Sequence, residues 1–247
     1  MRVIIVMLAC LVSVMVLAED IISKHCIGRC PAGADTNQVI TREIYTLSNN
    51  AKTKFADWVC YKVTPQTIGK SKTRRWKADP ALAEPQTLEP SDYKAAHKTI
   101  KTDRGHQAPL ASFAGTNYWK ETNYLSNITP QKSALNQGSW VKLENTVRKL
   151  ARKYGAVWVM TGPLYTKEMP KLPGADEPHV VPSGYWKIVI VKTGEKETPY
   201  QHAAFVFPQS AARRDSVCQF KTNISEIETK SKLSFIKLNS APTLLCE

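Results

Sequence analysis

One short segment carries the residue types needed for proton and phosphate chemistry: Thr102-Asp103-Arg104-Gly105-His106-Gln107. Histidine is the side chain whose ordinary pKa suits general-base work near neutrality. His106 directly follows a carboxylate, a guanidinium and a glycine. His25, His97, His179 and His202 have no such company and read as surface or packed histidines. Arginine offers a planar fork that donates two hydrogen bonds to a phosphate. Arg104 is joined in this by a basic run from Lys70 to Lys77 that contains Arg74 and Arg75; taken alone, such a run describes a solvated face. Asn136 stands near the start of an apolar-periodic segment, where asparagine is most often a helix cap. Glu144 lies four residues before Arg148, the spacing of a surface ion pair. On an ideal helix Asn136 and Glu144 are separated by about 80° around the axis and about 12 Å along it. That is too far for both to bind one ion directly, although the backward tilt of helical side chains lets Glu144 lean toward Asn136.

The elements that must hold these groups follow from periodicity. Trp140, Leu143, Val147, Leu150 and Tyr154 recur at helical spacing and predict a helix from Ser133 to Tyr154, stopped by Gly155. Strand composition marks Glu43–Leu47, Phe55–Thr64, Val157–Thr161, Tyr185–Val191 and Ala203–Phe207. Ser225 and Glu228, in capping-box spacing, open a short helix to Leu233. Residues 65–95 read as a long loop region with short helical pieces, residues 103–131 as loop, and residues 19–40 as irregular. No repeat or domain boundary is visible. The pattern predicts an α+β fold with a largely antiparallel central sheet flanked by helices, in a single domain over residues 19–247.

Charge and cysteine narrow the class. The chain has 247 residues and a net charge of +13. Arg2 followed by an apolar run from Val3 to Leu17, ending at Ala18, has the pattern of a cleaved signal peptide and is shorter than the roughly 20 residues of a membrane span. Cleavage after Ala18 removes only Arg2 among the charged residues and leaves a net charge of +12. An exported protein this basic binds polyanions or anionic surfaces. Five cysteines remain after cleavage. Cys60 lies in a buried-strand pattern and reads as a free core thiol, which pairs Cys26 with Cys30 and Cys218 with Cys246. A zinc site at Cys26-x3-Cys30 lacks a second close ligand pair.

The segment Asp103-Arg104-Gly105-His106 resembles the signature of the DNA/RNA non-specific endonucleases, which carry a ββα-metal site. Asn123-Tyr124-Leu125-Ser126-Asn127-Ile128-Thr129-Pro130-Gln131, Leu135-Asn136-Gln137-Gly138 and Thr161-Gly162-Pro163-Leu164-Tyr165 resemble the same family in order and spacing. So do the strip Lys72-Thr73-Arg74-Arg75-Trp76 and Cys26, Cys30 and Cys218. The whole mature chain looks like the secreted Serratia-type branch. The resemblance implies His106 as general base and Asn136 as the one direct protein ligand of a Mg²⁺ ion, with Mn²⁺ as a substitute. It implies Glu144 as a residue holding the waters around that ion, and Arg74 and Arg104 on the scissile or adjacent phosphate. Asn127 is implied to contact substrate or water, with Arg148 as a further phosphate contact. It further implies cleavage of DNA and RNA without sequence preference, 5′-phosphate products, secretion and a homodimer. The competing class is a catalytically silent, secreted, basic polyanion-binding protein on the same scaffold.

Overall fold

Both faces of the central strands are apolar, and the fold explains why: each face is covered. The computed structural model describes residues 20–34, 37–70, 72–237 and 240–246. The expected signal segment lies outside the described residues. The strands are β1 (Gln38–Thr41), β2 (Thr46–Asn50), β3 (Phe55–Val63), β4 (Thr102–His106), β5 (Ile128–Lys132), β6 (Val157–Leu164), β7 (Gly184–Lys192), β8 (Tyr200–Pro208), β9 (Lys221–Thr222) and β10 (Ser240–Ala241). The helices are α1 (Ala96–Ile100), α2 (Leu110–Phe113), α3 (Ser133–Leu135), α4 (Val141–Tyr154) and α5 (Ile224–Ser231). The large sheet runs β1-β2-β3-β6-β7-β8-β10 with β9 beside β8. Every pairing in it is antiparallel except that of β10 with β8. β4 and β5 form a separate antiparallel pair.

Successive strand residues face opposite sides, and the two cores divide accordingly. Val59, Tyr61, Tyr185, Val189 and Val191 pack with Leu143, Val147 and Ala151 of α4. Trp58, Cys60, Trp186, Ile188 and Ile190 pack with Cys26, Cys30, Ile227 of α5 and Phe235. Leu143 and Ala151 are fully buried, so truncating Leu143 to alanine costs about 2–5 kcal/mol. Cys26–Cys30 is a disulfide, which closes the zinc reading, and Cys218–Cys246 is a second one. Cys60 is a free, buried thiol, and burial pushes its pKa well up.

Several sequence expectations are corrected. Residues 103–131 are not simply loop, since β4 and β5 occupy the two ends of that stretch. Gln38–Thr41 within the supposedly irregular N-terminal region is the edge strand β1. The C-terminal helix starts two residues earlier than expected: Asn223, not Ser225, is its cap and accepts from the Glu226 amide at 2.8 Å. The long helix does stop at Gly155, whose φ of +78° suits glycine. It is not continuous from Ser133, however. Residues Asn136–Trp140 form a wide, π-type turn, and Gly138 leaves helical geometry at φ −110°, ψ −118°.

That break has a steric basis. A Cβ at position 138 would lie 2.9 Å from both Cα and O of Arg213, so only glycine lets the turn seat against that backbone. Gly138→Ala is therefore expected to cost about 1–3 kcal/mol by overpacking. It should also lower activity further than stability alone predicts, because Asn136 and Arg213 border the same cavity. Urea melts and turnover of the purified variant check this. Unchanged stability and turnover together would contradict the steric account.

Candidate active site

β4, β5 and the α3–α4 segment together make a ββα unit docked on one face of the large sheet. Tyr185 of β7 donates its hydroxyl to the Pro130 carbonyl of β5 at 2.7 Å. Trp140 donates its indole N–H to the His106 carbonyl of β4 at 3.3 Å. Gln107 links Thr129 and Thr161 through its side-chain amide. These bonds fix β4 relative to the start of α4, and between them opens a cavity of about 560 Å³.

Strand alternation sends Arg104 and His106 of β4 the same way and Asp103 the other way, toward the helix start. The Asp103 carboxylate accepts from Ser133 Oγ at 2.7 Å, Gln137 Nε2 at 2.9 Å, Asn136 Nδ2 at 3.1 Å and His97 Nδ1 at 2.8 Å. Burial opposes its charge, but these hydrogen bonds outweigh burial and hold the carboxyl below its usual range. Asp103 thereby orients Asn136. With the amide nitrogen committed, the Asn136 Oδ1 has no hydrogen-bond partner among the described residues. It borders the cavity together with the half-buried Glu144. A carbonyl oxygen and a nearby carboxylate are hard donors, the set magnesium favours, so the residues present fit such an ion.

His106 is buried, with its Nε2 3.3 Å from Asn123 Oδ1 and the Trp76 ring 5.3 Å from its own. An amide oxygen can only accept, so Nε2 carries the proton and Nδ1 keeps the lone pair. Burial pulls the imidazole pKa down to about 4; the Asn123 bond opposes this and Arg74 adds to it. At neutral pH the ring is uncharged and able to take a proton.

Arg74 and Arg104 border the same cavity. The Arg104 guanidinium donates to the Pro90 carbonyl at 2.8 Å and packs 5.0 Å from the Tyr93 ring centre and 5.6 Å from that of Trp76. These contacts hold the fork in place. Glu144 has a raised pKa from burial, opposed by the cations of Lys187, Arg148 and Arg74.

Two of the expected residues stand elsewhere. Asn127 is fully buried behind the cavity and does not border it. Its side chain accepts from the Ala108 amide and donates to the Ala108 and Thr122 carbonyls, each at 2.9 Å. Through these bonds it clamps the chain on either side of the site. Arg148 lies behind Glu144, where it donates to Ser112 Oγ at 3.4 Å and Asn145 Oδ1 at 2.5 Å. It acts on Glu144 through charge and does not border the cavity.

Three residues with a part in the site have none assigned from the sequence. Asn123 fixes the His106 tautomer; it sits inside the Asn123–Gln131 block, but nothing in that block marks it as a histidine partner. His97, read as a bland histidine, contacts Asp103 at the cavity edge. Lys187 is fully buried on the α4 side of β7, with its ammonium 3.9 Å from the Trp140 ring centre and 3.3 Å from the Tyr61 hydroxyl. Burial lowers its pKa to about 8, and the Glu144 charge opposes that. The available signal was a lysine inside the apolar run Tyr185–Val191.

The family model for DNA/RNA non-specific endonucleases matches residues 28–240. A nuclease of Serratia marcescens is 48% identical over 211 residues, covering 85% of this chain and 79% of that protein. Human mitochondrial endonuclease G is 29% identical over 212 residues, covering 81% of this chain and 69% of that protein. A chain in the crystal structure of an EndoG/EndoGI complex shares the fold with a TM-score of 0.72 at 23% identity, over 84% of this chain and 91% of that one.

Proposed function

Since the chain belongs to the DNA/RNA non-specific endonuclease family, we propose that it hydrolyses phosphodiester bonds of single- and double-stranded DNA and RNA. On this reading it does so without sequence preference, depends on Mg²⁺ and leaves 5′-phosphate ends. One observation carries the reading: His106, Arg74, Arg104, Asn136 and Glu144 border a single cavity. Nδ1 of neutral His106 takes a proton from water as that water attacks phosphorus in line. Arg74 and Arg104 donate to the non-bridging oxygens, where charge grows in the transition state. Asn136 Oδ1 is the atom that would hold Mg²⁺, with Glu144 ordering water beside it. When bound, the ion supplies Lewis-acid neutralisation of the phosphate and the departing 3′-oxygen. None of these contacts reads a base edge or needs a 2′-hydroxyl, so both nucleic acids fit.

Export accords with the N-terminal apolar run and with two disulfides. Among the described residues no helix is long and apolar enough to cross a membrane. In this reading the mature protein begins after Ala18, forms one domain over residues 19–247 and is secreted.

Digestion of supercoiled plasmid and of duplex RNA by the mature protein tests the proposal. Both substrates should be degraded in Mg²⁺, spared in EDTA and degraded again when Mg²⁺ is restored. Binding without cutting under all three conditions would support the silent polyanion-binding alternative.

A further inference from the structure

Next to the catalytic cavity lies a second one, of about 500 Å³. The wall between them is the strip from Lys72 to Lys77, and from Thr73 onward its residues alternate sides. Arg74 and Trp76 border the cavity that contains His106. Arg75 and Lys77 border the second one. The strip is pinned there because Lys77 donates its amide to the Asn123 carbonyl at 3.2 Å and accepts from the Leu125 amide at 2.9 Å. Arg74 and Arg75, neighbours in one basic run, thus serve different cavities.

The second cavity has a consistent chemistry. Lys72, Arg75, Lys77 and Lys120 surround Trp119, and no carboxylate among the described residues borders the space. The ammonium groups of Lys72 and Lys120 stand 5.8 and 6.0 Å from the Trp119 ring centre, loose enough for a flat group to take the ring face. Tyr124, by contrast, is already covered by the Arg42 guanidinium at 4.6 Å. Asn123 is shared between the two sites. Its Oδ1 meets His106, its side chain is almost wholly buried, and it borders the second cavity. Its Nδ2 donates no hydrogen bond among the described residues, so a donor stands at the boundary between the two spaces.

An aromatic platform ringed by cations and free of acids suits a nucleobase with its phosphates. We propose that this cavity is a nucleotide subsite. An unpaired base of the strand being cut stacks on Trp119, while Lys72, Arg75 and Lys120 hold its phosphates. The inference rests on the nuclease reading above and adds to it a preference for unstacked strand. Every base has a π-face, so the subsite adds affinity without sequence preference. Bases inside an intact duplex are already stacked and cannot reach the ring.

The test measures binding on a His106→Ala background, with a short single-stranded DNA and the matching duplex. Trp119→Ala should weaken single-strand binding by roughly 5- to 150-fold, the range of one lost base–aromatic stack. Duplex binding should change by less than roughly twofold, since it rests on phosphates. Trp119→Phe should recover most of the loss, which separates stacking from a packing defect. An abasic residue walked along the single strand should find one position at which its penalty and that of Trp119→Ala do not add. Equal loss on both substrates, or additive penalties at every position, would overturn the subsite. Cleavage by the protein with His106 intact reports on the nuclease reading separately. Cutting without the Trp119 coupling removes only the subsite, and coupling without cutting removes only the catalytic proposal.

Discussion

His106→Ala is expected to bind DNA and RNA as tightly as the unaltered protein while turnover falls by roughly 10²–10⁴-fold, the usual contribution of a positioned general base. The imidazole is uncharged at neutral pH because burial lowers its pKa to about 4. Removing it therefore takes no positive charge from the substrate's surroundings, and affinity should hold. Its hydrogen bond from Nε2 to Asn123 leaves Nδ1 as the basic atom, so His106→Gln, which retains a donor for Asn123, should be almost as inactive as the alanine variant. Single-turnover cleavage with saturating enzyme, alongside filter binding and a melting curve, checks both variants. A folded His106→Ala protein with near-normal turnover would remove this residue from the chemistry.

The second large effect is expected at Asn136. Its Oδ1 stands clear because Asp103 takes the amide nitrogen at 3.1 Å. Asn136→Ala should lower turnover at limiting Mg²⁺ by on the order of 10²-fold, about 2.7 kcal/mol, and raising Mg²⁺ should restore part of it. Glu144→Gln should behave differently, reducing turnover at all Mg²⁺ concentrations with a smaller shift in the concentration needed, in keeping with a group that acts through ordered water. Mg²⁺ titrations of cleavage rate for both variants decide the point. If Glu144→Gln moved the Mg²⁺ requirement far more than Asn136→Ala did, the two roles would be exchanged.

What could be read from the sequence was what depends on local chemistry. Asp103, Arg104 and His106 are adjacent, so their common purpose shows without a fold. Gly155 ends a clear apolar stripe, and Cys60 sits in a strand whose neighbours announce burial. The features missed depend on distant partners. The break at Gly138 is set by the Arg213 backbone lying against it, 75 residues further along the numbering. β4 and β5 are short and polar, and they pair across a long connection, so neither has the apolar alternation that marks a strand. Asn127 and Asn123 are the same residue type four positions apart. Only the fold shows that one clamps backbone while the other holds His106. Lys187 reads as a flaw in an apolar strand until β7 packs against α4 and brings it toward Glu144. Arg148, at i+4 from Glu144, does not form the ion pair that helix spacing suggested; it donates to Ser112 and Asn145 and reaches the Glu144 carboxylate only through longer-range charge.

The central claim is that His106 directs water at phosphorus and that the 3′-oxygen departs. Cleavage of a defined DNA and its RNA counterpart in H₂¹⁸O, followed by mass spectrometry of the product ends, tests this most directly. The account predicts one ¹⁸O in the new 5′-phosphate of both substrates, with a plain 3′-hydroxyl on the other fragment. A 3′-phosphate, or a 2′,3′-cyclic phosphate from RNA, would contradict it, because either product requires the 5′-oxygen to leave.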